Sequence, residues 1–78
     1  SGTREATRRL ISEDSDFESG LETVLDVQEE KGEVSWSDIK TELTSGHWGR
    51  LIEKRVLVEN EDGEGFVLAD EEIVRELL

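Results

Sequence analysis

Within residues 36–56 two short apolar stripes stand one turn apart, and that pairing restricts the folds open to this chain more than any other feature of it. Trp36, Ile39 and Leu43 recur at i, i+3 and i+7, and Trp48, Leu51 and Ile52 at i, i+3 and i+4. Both spacings gather apolar side chains on one side of a helix. Between them, Thr44-Ser45-Gly46 is a run of small residues suited to a tight turn and to capping the helix that follows. The pattern predicts helices over residues 36–43, starting from Ser35 or Ser37 with Asp38, and over residues 47–54. Both tryptophans fall on the inward stripes and are expected in the core.

Residues 4–12 carry Ala6, Leu10 and Ile11 at helical spacing, with Ser1 or Thr3 as the cap. Ser15 or Asp16 caps a second helix over residues 17–30, where Phe17, Leu21, Val24 and Leu25 stand at i, i+4, i+7 and i+8. Gly20 inside it costs about 1 kcal/mol relative to alanine, which predicts a packing reason or a frayed first turn. Gly32 closes the helix, and Glu33-Val34-Ser35 leaves room only for a brief extended segment. Residues 55–58 and 66–68 read as the strands of a hairpin around a polar turn at 59–65. Asp70 caps a closing helix with Ile73, Val74, Leu77 and Leu78 on one side, a broad apolar face that must dock on this domain, a second copy or other sequence. Setting the first helix aside, the order is helix, strand, helix, helix, two-stranded wing. That is the order of an α+β winged helix (winged helix-turn-helix), here with an extra N-terminal helix and a C-terminal helix. Residues 1–16 form the helical extension and residues 17–78 the domain.

The chain has 78 residues, one domain near the lower limit of what buries its own core. With no cysteine, neither a disulfide nor a thiolate-bound metal can staple it, and stability must come from packing. Its longest apolar runs fall far short of the roughly 20 residues that span a bilayer, and no secretory leader is legible, so a cytoplasmic setting is expected. A start at Ser1 without methionine and a last helix ending at Leu78 suggest a processed or cut piece of something longer. Acidic residues number 21 against 9 basic ones, only three of them lysine, for a net charge of -12. Such self-repulsion is relieved by salt, which suits a halophile cytoplasm. An acidic disordered tail would thin out its apolar residues, whereas these recur with clear periods.

The second helix of a helix-turn-helix pair is the natural reader of a DNA major groove, and here it offers His47, Arg50, Lys54 and, just beyond, Arg55 as partner or DNA contacts. Against DNA stands the wing tip, with Glu59, Glu61, Asp62 and Glu64 and no base among them. The plainer reading of the cations is surface ion pairing with Glu53 or the acidic wing. His47 is the only histidine and no ligand spacing accompanies it, so neither metal nor cofactor is expected and the residue reads as a surface or helix-start histidine. Residues 60–64 lack the alternating ligands of a calcium loop. Adjacent carboxylates such as Glu29-Glu30 and Glu71-Glu72 read as a solvated face. No phosphate loop, nucleophile elbow or Cys/His cluster is present, so no catalytic residue and no small-molecule substrate are expected.

The run Thr44-Ser45-Gly46-His47-Trp48-Gly49-Arg50-Leu51-Ile52-Glu53-Lys54-Arg55-Val56-Leu57-Val58, followed by Glu64-Gly65-Phe66-Val67-Leu68-Ala69-Asp70, resembles a segment of the haloarchaeal YidC-like membrane proteins. In that family a soluble, acidic, winged-helix-like region of unknown function precedes the transmembrane part. The resemblance covers about residues 17–78 and is most specific from Trp48 to Lys54. It implies a cytosolic domain tethered to a membrane insertase-like protein, with a protein or ribosomal partner. No catalytic or binding residue carries over, and the membrane helices behind insertase activity have no counterpart here. The expected function is a non-enzymatic interaction module that binds a protein partner through residues 47–54 or the closing helix. The alternative is a double-stranded DNA-binding domain of a transcription regulator.

Overall fold

The computed structural model describes residues 2–78, so Ser1, one of the two caps considered for the first helix, lies outside it. Five helices and a two-stranded antiparallel sheet make a small α+β domain: α1 (Gly2–Glu13), α2 (Asp16–Lys31), α3 (Trp36–Ile39), α4 (Ser45–Glu53), β1 (Leu57–Glu59), β2 (Phe66–Leu68) and α5 (Glu71–Leu77). The second helix is central. Its stripe of Phe17, Leu21, Val24 and Leu25 is buried as the spacing predicts, and α1, α3, α5 and β2 all pack against it. Leu10 of α1 is buried in the same core, with Ala6 and Ile11 at its edge.

The start of α2 departs from expectation. Ser15 has helical backbone angles and its side chain makes no capping bond; the Asp14 carboxylate accepts the Asp16 N–H at 2.9 Å instead. At the other end Gly32 takes the left-handed conformation, φ 83°, and its N–H reaches the Gln28 carbonyl at 2.7 Å. Gly20 has the packing reason its position required: a β-carbon there would overlap the head of the Leu43 side chain.

That contact also explains why α3 is shorter than residues 36–43. Ile39 fills the inward position and is fully buried; beyond it the chain tightens into turns, with the N–H groups of Glu42 and Leu43 both on the Ile39 carbonyl, and Leu43 is delivered onto Gly20. Trp36 is left on the first turn of a one-turn helix, 36% exposed, and not in the core. Ser35 and Asp38 cap that turn reciprocally.

Helix α4 begins two residues before the expected start, because Thr44 caps it. The Thr44 hydroxyl oxygen accepts the His47 N–H at 3.2 Å, while His47 Nδ1 faces the Thr44 N–H at 3.3 Å. It ends with the Val56 N–H on the Leu51 carbonyl and the Arg55 N–H on the Ile52 carbonyl, with Leu51 and Val56 buried behind them. That double bond pattern places Arg55 in the left-handed region, φ 64°, where glycine is the usual occupant. Residues 55 and 56 therefore close the helix, and the strand starts at Leu57 rather than Arg55.

In the hairpin Leu57, Val58 and Glu59 face Leu68, Val67 and Phe66. The brief extended segment around Val34 joins at one point: Val34 and Phe66 exchange both backbone hydrogen bonds at 2.8 Å. Gly65 beside this bridge carries no side chain because a β-carbon would come within 3.0 Å of the Val34 carbonyl oxygen. Gln28 stitches the layers, accepting the Leu68 N–H and donating to Glu71, each at 2.7 Å. Asp70 caps α5 by accepting the Ile73 N–H at 3.2 Å. The apolar side of α5 docks on α1 and α2 of this same domain, with Val74 fully buried and Leu78 against the core.

Candidate functional site

Helix α4 carries the candidate contacts, and its two flanks differ. On the flank toward α1, the Arg50 guanidinium spans both Glu13 carboxylate oxygens through Nη2, at 3.0 and 3.1 Å. His47 Nε2 lies 2.8 Å from Asp14 Oδ2, and the ring stands perpendicular to that of Phe17 with centroids 4.7 Å apart. Two of the four sequence candidates are therefore tied to the α1–α2 junction. Their partners are Glu13 and Asp14, not Glu53 or the wing.

The hydrogen-bond pattern assigns the His47 ring. Nδ1 faces both the Thr44 N–H and the Thr44 hydroxyl, the latter at 2.8 Å, so it accepts; Nε2 then carries the proton donated to Asp14. Asp14 is held below the ordinary aspartate range first by this bond and then by the Asp16 N–H, so it stays ionised. Hydroxyl, imidazole and carboxylate thus follow one another in the order of a hydrolytic triad. Here, however, the hydroxyl oxygen is engaged as a helix cap, and the series closes α4 onto the α1–α2 junction.

Lys54 and Arg55, the other two candidates, are exposed, and among the described residues neither makes an ion pair. They sit together at the C-terminal end of α4. The tip of the β1–β2 hairpin presents Glu59, Glu61, Asp62 and Glu64, all exposed.

On the flank toward the sheet, three aromatic rings form a row. Trp36 and Trp48 have centroids 6.2 Å apart, and Phe66 meets Trp48 edge-on at 5.4 Å. Trp48 and Phe66 are half-buried and Trp36 is exposed. The apolar periodicity pointed to Trp48, but nothing in the sequence signalled that Phe66, 18 residues away in number, would be its neighbour. Nor did it signal Glu13 and Asp14, which lie where the helical pattern breaks.

No family model matches the chain, and neither a curated protein nor a solved structure matches it. No helix among the described residues is long and apolar enough to cross a membrane.

Proposed function

We propose that the chain is a non-enzymatic interaction module of the winged-helix type, acting on the cytosolic side of a haloarchaeal YidC-like membrane protein and binding a protein partner through the aromatic flank of α4. The element order supports the fold: α2, the Val34 segment, α3, α4 and the β1–β2 hairpin follow the winged-helix sequence, with Val34 paired to β2, which lies between it and β1. The observation that carries the function is the Trp36–Trp48–Phe66 row at the surface beside an acidic wing, while His47 and Arg50 are engaged internally. Exposed tryptophan is a favoured anchor at protein interfaces, and the surrounding negative charge selects a basic, arginine-containing segment.

An NMR titration with an arginine-rich peptide and, separately, with duplex DNA at several salt concentrations tests this. The peptide should move the indole resonances of Trp36 and Trp48, and DNA should leave them in place. DNA affinity falling steeply with salt, and abolished by Arg50→Ala with Arg55→Ala, would overturn the reading. The origin is tested by the gene: transmembrane segments encoded after Leu78 support it, and a stop codon there removes it.

A DNA-binding transcription-regulator domain is the second reading, and one observation favours it. Arg55 occupies a left-handed position that costs a non-glycine residue about 1 kcal/mol, beside Lys54 and with no carboxylate partner among the described residues. Together with Lys54 it supplies two exposed cations at the end of α4 that a phosphate backbone would meet.

A further inference from the structure

We propose that Asp14, Asp16 and His47 form a binding site for a divalent transition-metal ion of the zinc type. One oxygen of each carboxylate and one ring nitrogen all lie within 4.8 Å of one another. The fold brings two nearby carboxylates together with a distant ring: Asp14 lies two residues before α2, Asp16 is the first residue of α2 and His47 is the third residue of α4. Ligand atoms around a tetrahedral zinc lie about 3.4 Å apart, given metal–ligand bonds of about 2.1 Å. Asp14 Oδ2 and His47 Nε2, now at 2.8 Å, must therefore part by a fraction of an ångström, and the exposed Asp16 carboxylate must swing in.

The supports for such a site are already in place. Asp14 Oδ1 is held by the Asp16 N–H at 2.9 Å, which leaves Oδ2 as the single oxygen presented. The imidazole is 15% exposed in its side chain, fixed by its perpendicular contact with the Phe17 ring and by Thr44. Metal binding needs Nε2 free of its proton, and the ring can meet that need by a change of tautomer. The proton leaves Nε2 and one is taken up at Nδ1, which then donates to Thr44 Oγ1 at 2.8 Å; the Thr44 hydroxyl rotates from donor to acceptor and still accepts the His47 N–H, while the Thr44 N–H gives up its 3.3 Å contact with Nδ1 for water at this exposed residue. No net proton is released. The second ring nitrogen of a metal-bound histidine ordinarily has just such an oxygen partner.

One imidazole nitrogen with two carboxylate oxygens favours zinc, cobalt or nickel over magnesium and calcium, which prefer all-oxygen shells. Two carboxylates neutralise the ion, and a chain of net charge -12 concentrates cations around itself. The N-terminal ends of α2 and α4 oppose a cation, and the same two carboxylates offset them. A bound ion would strengthen the link between α4 and the α1–α2 junction without touching Trp36, Trp48 or Phe66.

The test uses the whole chain, stripped with a chelator and titrated with Co2+ or Zn2+ alone. Co2+ should give the visible absorption of a low-coordinate nitrogen and oxygen site, Zn2+ should displace it, and an equal concentration of Mg2+ should not. In NMR spectra Zn2+ should move the His47 proton from Nε2 to Nδ1. Asp16→Asn should weaken Zn2+ at least tenfold with an unchanged circular dichroism spectrum, because the Asp16 side chain makes no hydrogen bond among the described residues. Asp14→Asn should also weaken it, and if that variant does not fold, Asp16→Asn decides. Absence of Zn2+ binding, binding that leaves the His47 resonances unmoved, or binding of wild-type strength in Asp16→Asn would each overturn the proposal.

Discussion

The two flanks of α4 are built from the same short helix yet expose different chemistry. Toward α1, charged groups face each other and pair: Arg50 with Glu13 through Nη2, though its buried Nε has no partner among the described residues, and His47 with Asp14. Toward the sheet, aromatic rings lie in a row, tilted and edge-on to one another, that the protein does not fully cover. Cations on the outer side of a second helix are a common sign of groove recognition, but a chain with 21 carboxylates supplies internal partners for them. What remains available at the surface is then the apolar flank, together with Lys54 and Arg55 at the helix end.

Both flanks hang on Leu51, which is fully buried on the side of α4 between them. Leu51→Ala should destabilise the domain by about 2–5 kcal/mol, read as a lower urea midpoint. Tryptophan fluorescence, reporting one flank, and the His47 ring resonances, reporting the other, should then melt together. If the His47 signals outlast the fluorescence change, the α1 flank is an independent unit and the two flanks do not share a core.

Gly49 lies on the outer ridge of α4 between the flanks, and a β-carbon there would meet nothing within 4 Å. Gly49→Ala should therefore stabilise the fold by about 1 kcal/mol through helix propensity alone. A partner seated on the aromatic flank reaches toward this ridge, so the same change should weaken peptide binding. Stabilisation with undiminished binding would move the interface away from the ridge, to the Phe66 end of the row.

Periodicity reports which residues share one side of a helix, and it located the α2 stripe and the buried Leu51 and Val74 well. It is silent about which elements meet. Glu13 and Asp14 interrupt a helical pattern and read only as a break, because their role depends on α4 arriving beside them from more than thirty positions away. Trp36 fits an inward stripe on paper, yet the stripe assumed a two-turn helix; once Leu43 seats on Gly20 after a single turn, Trp36 is rotated to the rim. From sequence Arg55 reads as part of a strand, since nothing local marks a left-handed arginine; the closure of α4 onto Val56 gives it that conformation.

A smaller effect separates the charged flank from DNA recognition. Glu13→Gln removes the partner of Arg50 while keeping the side chain's shape, and since both groups are about half exposed the unfolding midpoint should barely move. If α4 reads phosphate, the freed guanidinium should raise affinity for duplex DNA and steepen its salt dependence by about 0.9 per added contact. The protein-binding reading expects no DNA affinity in either form, and a gain in the variant would show that only the Glu13 pairing keeps α4 off nucleic acid.

The aromatic flank rests on an electrostatic cap, and acid should loosen it slightly. Asp38 accepts the Ser35 N–H at 2.9 Å and pairs with Lys31, and these hold Trp36 at the start of α3. Lys31 first, then the Ser35 N–H, keep its carboxyl below the ordinary value of 3.8. The folded chain thus binds this proton less readily than the unfolded chain, so the cap's contribution is complete above roughly pH 5 and is lost as pH falls through the lowered folded value. Acid also relieves the repulsion among the other carboxylates, so the contribution must be read as a difference from Asp38→Asn, which keeps an acceptor for the Ser35 N–H but no charge. Wild type should be the more stable near neutral pH, the gap should close below about pH 4, and Trp36 fluorescence should change in the same window. A gap that persists into acid would mean that hydrogen-bond geometry alone, and not charge, positions the aromatic flank.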